Sequence, residues 1–175
     1  MYKRALCMVV LAQLAGCSSM SVEECKVADW YAVGLQDGRN GAPSSRVNDY
    51  AEDCLEANVT VDQAAWFNGY DLGLTYYCMP DNGYRIGRSG GGYNGVCDSP
   101  FFLEQYNKGR AEYRVEQRIR EIDRELNSIA AQLKQLDKNS RNNSDEAKRL
   151  RRSEKTLRAE RRSLITPTIQ YNFTF

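Results

Sequence analysis

The residues of this chain that could do chemistry are mostly carboxylates. Two carboxyl groups facing each other across a cleft are what glycoside hydrolysis requires. Five aspartates in the first half of the chain are the candidates for such a pair: Asp29, Asp37, Asp49, Asp53 and Asp71. Nothing in their spacing specifies two carboxyls on one cleft, so helix packing or surface exposure is the simpler interpretation.

Composition excludes several other kinds of reaction centre. The 175 residues include no histidine, which excludes Ser-His-Asp triads, Cys-His dyads, histidine metal ligands and histidine pH switches. The glycine-rich run at 87–92 lacks the G-x4-G-K-[ST] pattern of a phosphate-binding loop, and its Ser89 has no histidine to activate it. We therefore predict that the protein is not an enzyme and has no cofactor and no metal site.

The first 17 residues have the organisation of a lipoprotein signal. Lys3 and Arg4 precede an apolar run over 5–15, shorter than the roughly 18–20 residues of a membrane-spanning helix. The run ends in Leu-Ala-Gly-Cys, which resembles the lipobox before which signal peptidase II cuts. We expect residues 1–16 to be removed and Cys17 to carry lipid. The alternative is an ordinary secretory signal with an unrelated cysteine.

The residue after Cys17 bears on the compartment. An Asp there often retains such lipoproteins at the inner membrane, and this chain has Ser18 instead. We expect a lipid-anchored protein on the periplasmic side of the outer membrane, an oxidising environment. Nucleic acid is excluded as a partner there.

Four cysteines remain beyond the anchor, an even number that predicts two disulfides in such a compartment. They are Cys25, Cys54, Cys78 and Cys97. A zinc site of four thiolates is the rival, but their gaps contain no C-x2-C pair. Three pairings are open. Sequential pairing is the simplest, and it closes a glycine-rich loop with its second bridge, but its first bridge strains the helical interpretation below.

Charge divides the chain beyond the signal. Residues 18–109 contain 6 Lys and Arg against 13 Asp and Glu, whereas residues 110–165 contain 16 against 10. We predict a mainly α fold with a disulfide-stabilised Gly/Tyr-rich helical domain over 17–109. A coiled-coil hairpin over 110–165 and a short extended aromatic tail over 166–175 complete it.

The first domain has the pattern of short helices joined by turns. One helix is predicted from Glu23 to about Arg39, a second after Ser45 with Tyr50 and Leu55 facing inward, and a third after Asp62. The run 79–99 has six glycines and no periodicity, which predicts a long loop.

A faint repeat links the helices of this domain. Two copies share an aromatic residue followed by glycines four apart, and a third is looser: Tyr31-x2-Gly34-x3-Gly38, Trp66-x2-Gly69-x3-Gly73 and Phe102-x3-Tyr106-x2-Gly109. Glycines four apart lie on one helix face, and each costs about 1 kcal/mol against alanine. A membrane or groove interface would use such a face, but close packing of helices inside the domain is the favoured explanation.

The basic segment has the periodicity of a coiled coil. Apolar residues step by four and three in an unbroken seam: Val115, Ile119, Ile122, Leu126, Ile129, Leu133 and Leu136. A polar break over 138–144 predicts an antiparallel return helix, on which Glu154 and Arg161 interrupt a poorer seam. We expect this hairpin to bind an envelope protein or a second copy.

Two further features are candidates for interaction. The return helix is basic and includes Arg151 and Arg152, which suits lipid phosphates, peptidoglycan carboxylates or the acidic first domain, although such runs are often only solvated faces. In the tail, Tyr171, Phe173 and Phe175 alternate with polar residues, as in an edge strand that joins a partner's sheet or lies extended on its own domain.

Three motifs in the first domain carry a family resemblance. They are Ala-Asp-Trp-Tyr-x2-Gly-x2-Asp-Gly-x2-Gly at 28–41, Tyr-Cys-x-Pro-x-Asn-Gly at 77–83 and Gly-Tyr-x-Gly-Val-Cys at 92–97. Over about 25–113 the chain resembles small bacterial envelope lipoproteins classified only as a domain of unknown function. The resemblance implies lipoprotein status and four matching cysteines, and no activity.

The function that follows is a structural one. We predict a lipid-anchored scaffold or adaptor for another envelope component. The alternative is a cell-wall or glycan-active protein, in which Trp30, Tyr31 and Trp66 stack on sugars beside the acidic surface. Aromatic residues buried between helices favour the first prediction, and a carboxylate pair beside an open aromatic pocket favours the second.

Overall fold

The computed structural model describes residues 20–139 and 144–166, and this part of the chain is mainly helical, as predicted. The described residues form two compact units. The first unit consists of residues 20–77 and 94–96, and the second consists of residues 78–93, 97–139 and 144–166. The predicted signal, Cys17 and tail residues 167–175 lie outside the described ranges. The helices are α1 (Val22–Val27), α2 (Trp30–Asn40), α3 (Arg46–Asp53), α4 (Gln63–Tyr77), α5 (Pro80–Arg88), α6 (Pro100–Lys138) and α7 (Asp145–Ile165).

Side-chain caps set where the helices of the first unit begin. Ser21 and Glu24 form a reciprocal capping box at α1. Ala28 is extended and the Asp29 carboxylate accepts from the backbone N–H of Ala32, so the single helix predicted from Glu23 to Arg39 is two helices. Asp62 caps α4 as predicted, by accepting from the N–H of Ala65.

Helices α2 and α4 cross with their backbones in contact. A Cβ atom built on Gly34 would lie 1.9 Å from the Trp66 carbonyl oxygen, and one on Gly69 would lie 2.0 Å from the Tyr31 carbonyl oxygen. Cβ atoms built on the next glycine along each helix, Gly38 and Gly73, would lie 2.2 and 2.4 Å from the carbonyl oxygens of Tyr70 and Leu35. The predicted explanation of the repeat as close helix packing is therefore correct for this pair.

The second unit is built on the same kind of crossing, between α5 and α6. A Cβ on Gly87 would lie 2.2 Å from the Tyr106 carbonyl oxygen, and one on Gly109 would lie 2.4 Å from that of Tyr84. The prediction of a long loop over 79–99 is wrong for residues 80–88, which form α5. Glycine is a poor helix former in water, but here its missing side chain is what lets two helices meet.

The correspondence between the units extends beyond the glycines. The Tyr70 hydroxyl donates to the Ala42 carbonyl at 2.6 Å, and the Tyr106 hydroxyl donates to the Gly91 carbonyl at 3.2 Å. In each unit a helix is followed by a positive-φ glycine that lies under a tyrosine ring, Gly41 under Tyr77 and Gly90 under Tyr113. The chain thus contains two copies of one helix-pair design, of which α5 is the member that sequence periodicity missed.

Both disulfides follow the sequential pairing. Cys25–Cys54 lies in the core of the first unit, where the two residues are 2% and 0% exposed. Around it pack Trp30, Val47, Tyr50, Val61, Trp66 and Tyr70. Cys78–Cys97 joins the residue that follows α4 to the segment that leads into α6. Tyr50 faces inward as predicted, but Leu55 is 71% exposed, because it lies in the turn beyond α3.

The hairpin grows directly out of the second helix pair. The 39 residues of α6 give a length of about 58 Å and continue unbroken across position 109, where the domain boundary was predicted. Ile122, Ile129 and Leu157 form the apolar seam with α7. Arg161, predicted as an interruption of that seam, donates to Asp123 on α6 at 2.7 Å.

A second cross-helix contact supports the hairpin. Arg118 makes a two-pronged contact with Glu160, with Nε to Oε1 at 2.7 Å and Nη2 to Oε2 at 3.0 Å. This contact raises the pKa of Arg118 and lowers that of Glu160. Within residues 20–139 and 144–166, no helix combines the length and apolar character that a membrane crossing requires.

Candidate functional site

A polar cluster lies inside the first unit, around the carboxylate of Asp37. The indole Nε1 of Trp66 donates to Asp37 Oδ2 at 3.1 Å, and the hydroxyl of Tyr50 donates to the same oxygen at 3.0 Å. Arg46 Nε donates in turn to the Tyr50 hydroxyl at 3.3 Å. Residues from α2, α3 and α4 thus meet at one carboxylate.

This cluster has the character of a structural contact. Trp66 is 0% exposed and Tyr50 is 5% exposed, so each ring needs a partner for its one polar atom. Burial raises the pKa of Tyr50, and the hydrogen bond to Tyr50 raises that of Arg46. Both pKa values thus lie farther from pH 7 than the ordinary values of these groups. General acid–base catalysis instead favours a pKa near the working pH.

Asp37→Leu is expected to destabilise the first unit by about 2–6 kcal/mol, because two buried donors lose their acceptor. The substitution leaves the indole N–H and the Tyr50 hydroxyl without their acceptor, and each unsatisfied buried donor costs about 1–3 kcal/mol. Urea unfolding followed by tryptophan fluorescence measures the effect, since both tryptophans of the chain lie in this unit. The matched control is Asp71→Leu at an exposed position of α4. Equal stability of the two variants would contradict the assigned role.

Stability of the first unit is expected to fall at alkaline pH. The pKa of Tyr50 is raised above its ordinary value of 10.0, chiefly by burial, so the folded unit favours the neutral hydroxyl. Its contribution is complete below about pH 10 and is lost as the pH rises through the folded pKa. Tyrosinate absorbance and tryptophan fluorescence, recorded together, check this. In Tyr50→Phe the alkaline loss should be smaller, and an unchanged profile would refute the explanation.

An acidic patch lies on the surface of the first unit. Glu52 and Glu56 are exposed and line a shallow depression with Asp53, beside residues 20–22. Asp53 accepts from the backbone N–H of Met20 at 3.1 Å. Asp49, one turn earlier on α3, is also exposed. The side chains that line this depression include no aromatic ring, so it offers no stacking surface for a sugar.

A basic stripe runs along α7. Its four exposed cations are spaced so that they share one helix face: Arg151, Lys155, Arg158 and Arg162. They line one open groove with Glu154, which accepts from Arg158 at 2.8 Å. The whole helix has eight cations and four carboxylates, so it remains positively charged after internal pairing. This surface can attract an anionic partner at a range set by the ionic strength.

The structure separates the residues that the sequence grouped as candidate contacts. Trp30 and Trp66 are 9% and 0% exposed, so their rings are used in the core and are not available to a ligand. Tyr31 is 42% exposed, and Arg151 and Arg152 are exposed on α7. Tyr171, Phe173 and Phe175 lie outside the described residues. Among the residues described, no group of three potential metal ligands comes together.

A match to a family model covers the part of the chain that contains both helix pairs. Residues 29–111 match a family model. It is described as Protein of unknown function (DUF2799). The DUF2799 match begins at the cap of α2 and ends within α6, so the hairpin beyond residue 111 lies outside it. Neither the comparison with curated proteins nor that with solved structures gave a match.

The sequence predicts a surface or helix-packing role for Asp37, and the hydrogen bonds from Tyr50 and Trp66 agree with helix packing. The sequence does not identify these donors, because they lie 13 and 29 positions away. One signal was present. A helix that brings buried Trp and Tyr rings together needs acceptors for their polar atoms, and Asp37 is a carboxylate on the face of α2 next to Gly34 and Gly38.

Proposed function

We propose that this protein is a lipid-anchored scaffold or adaptor of the outer membrane that faces the periplasm. Acylated Cys17 would tether the chain, and the helical hairpin would hold another envelope component. The disulfide and the helix pair of each unit would make that unit rigid. Several acyl chains on one residue anchor a protein stably, whereas a single chain binds only marginally.

The observation that carries this proposal is the continuity of α6. One end of the helix packs on α5 through Gly109, and the other end forms the hairpin with α7. This helix is about 58 Å long and has no break between the end that packs on α5 and the end that packs on α7. A long charged helix that is continuous with a disulfide-bonded helix pair suits spacing or holding a partner.

The glycan-active alternative has less support. It relied on Trp30 and Trp66 as sugar-stacking rings, and both are buried. The depression lined by Glu52, Asp53 and Glu56 includes no aromatic side chain in its lining. Tyr31 and Tyr76 are exposed at 42% and 45%, but neither lines the acidic depression.

Two measurements in cells test the two halves of the proposal. Metabolic labelling with palmitate should label the wild-type chain and leave Cys17→Ser unlabelled. An unlabelled wild-type chain would refute the tether. For the adaptor, a photocrosslinking amino acid placed at Arg152 or Thr156 on α7 should give discrete crosslinked products. The control position is Ala32, exposed on α2. Equal crosslinking from α7 and from Ala32 would refute the role of the hairpin.

A further inference from the structure

We propose that the basic stripe of α7 binds the acidic first unit of a second copy of this chain. This inference rests on the proposed scaffold function and names its partner. The stripe consists of Arg151, Lys155, Arg158 and Arg162. Its counterpart on the other copy is the set of exposed carboxylates in the acidic patch, Asp49, Glu52 and Glu56.

Charge complementarity is the first support. Residues 20–77 contain ten carboxylates and only three cations, so the first unit is strongly negative. Helix α7 contains twice as many cations as carboxylates. The first unit and α7 therefore present exposed surfaces of opposite charge. A second copy of the chain supplies the complementary surface at the same concentration as the first.

The composition of the stripe also favours a folded acidic surface over a lipid bilayer. Small residues, Ala159 and Ser163, accompany the cations along α7, and no aromatic side chain lies among them to insert between lipids. Three of the four cations are arginines, whose planar donors suit carboxylates in two-pronged contacts. The hairpin already uses that geometry between Arg118 and Glu160.

The contact joins unlike surfaces, so it is heterologous and generates rings or open chains of copies. Exposed ion pairs are individually weak. A row of four cations acts together, and tethering both copies to one membrane raises their effective concentration. Assembly is therefore expected to be concentration-dependent in solution and weakened by salt.

The test exchanges the charges on the full chain, purified from cells in detergent with its disulfides formed. One variant reverses the stripe (R151E/K155E/R158E/R162E), and another reverses the patch (D49K/E52K/E56K). The charge-matched control reverses four exposed cations of α6 (R114E/R120E/R124E/K134E). Sedimentation velocity in low salt should show a mass that grows with concentration for the wild type and the control. Self-association should weaken at least tenfold for each of the other two variants.

Mixing the stripe and patch variants is the decisive step. Each variant alone presents like charges on both surfaces, but together they present opposite charges, so the equimolar mixture should recover assembly. A mixture that stays monomeric, or a wild type that is monomeric throughout, would overturn the inference. So would salt-sensitive binding of the stripe to phosphatidylglycerol vesicles without any growth in mass. Palmitate labelling and crosslinking to another protein remain separate readouts, so failure here is distinguishable from failure of the scaffold proposal.

Discussion

Gly34→Ala is expected to destabilise the first unit strongly. A Cβ atom there would lie 1.9 Å from the Trp66 carbonyl oxygen and 2.7 Å from its carbonyl carbon, both backbone atoms of α4. A flexible side chain could move aside, but here two helices must separate. Overpacking of a core costs about 1–3 kcal/mol and sometimes more, and this site belongs at or above the upper end of that range. Tryptophan fluorescence during urea unfolding reports this unit alone.

The sign of the effect makes this prediction sharp. In an open helix, Gly→Ala stabilises by about 1 kcal/mol, because alanine is the better helix former. The control is Ala32→Ser at an exposed position of α2 in the same unit, which should leave the free energy of unfolding within about 0.5 kcal/mol of wild type. If Gly34→Ala were as stable as this control, the close approach of α2 and α4 would be refuted.

The glycines also show how far sequence periodicity reaches in this fold. Pairs four apart in α2 and α4 were recognised because each follows an aromatic residue. Gly83 and Gly87 have the same spacing, but four more glycines follow before residue 96, and so many glycines predict a loop. Pro80 at the first turn is compatible with a helix start. What decides the matter is α6, whose backbone covers these glycines, and that contact is absent from any local window of sequence.

The hairpin was predictable because its information is local and repeated. Three heptads with apolar residues at alternating steps of four and three specify one face of α6, and Ile122, Ile129 and Leu136 are buried on it. The polar interruptions in α7 were harder to interpret. Whether Arg161 breaks a seam or pairs across it depends on the register of α6, which places Asp123 opposite. Register is a tertiary property, so the pair could not be assigned beforehand.

Removing the Cys25–Cys54 bridge is the second change with a large expected effect. The bridge joins residues 29 positions apart, so the chain-entropy estimate for its loss is about 3–4 kcal/mol. Both sulfurs lie in the core, and the double substitution Cys25→Ala/Cys54→Ala also leaves a cavity among Trp30, Val47 and Tyr50. Because the unfolded chain becomes more extended, the slope of unfolding free energy against urea should rise as the midpoint falls.

Removing the second bridge separates the effect of chain entropy from the effect of lost core packing in the first unit. Cys78–Cys97 spans 19 positions, so its entropic contribution is similar, but Cys78 is half-buried and lies outside the first unit. Cys78→Ala/Cys97→Ala should therefore leave the tryptophan-monitored transition close to wild type, while helical circular dichroism reports a loss in the second unit. If either double variant shifted both transitions equally, the two units of the proposed scaffold would unfold as one cooperative body.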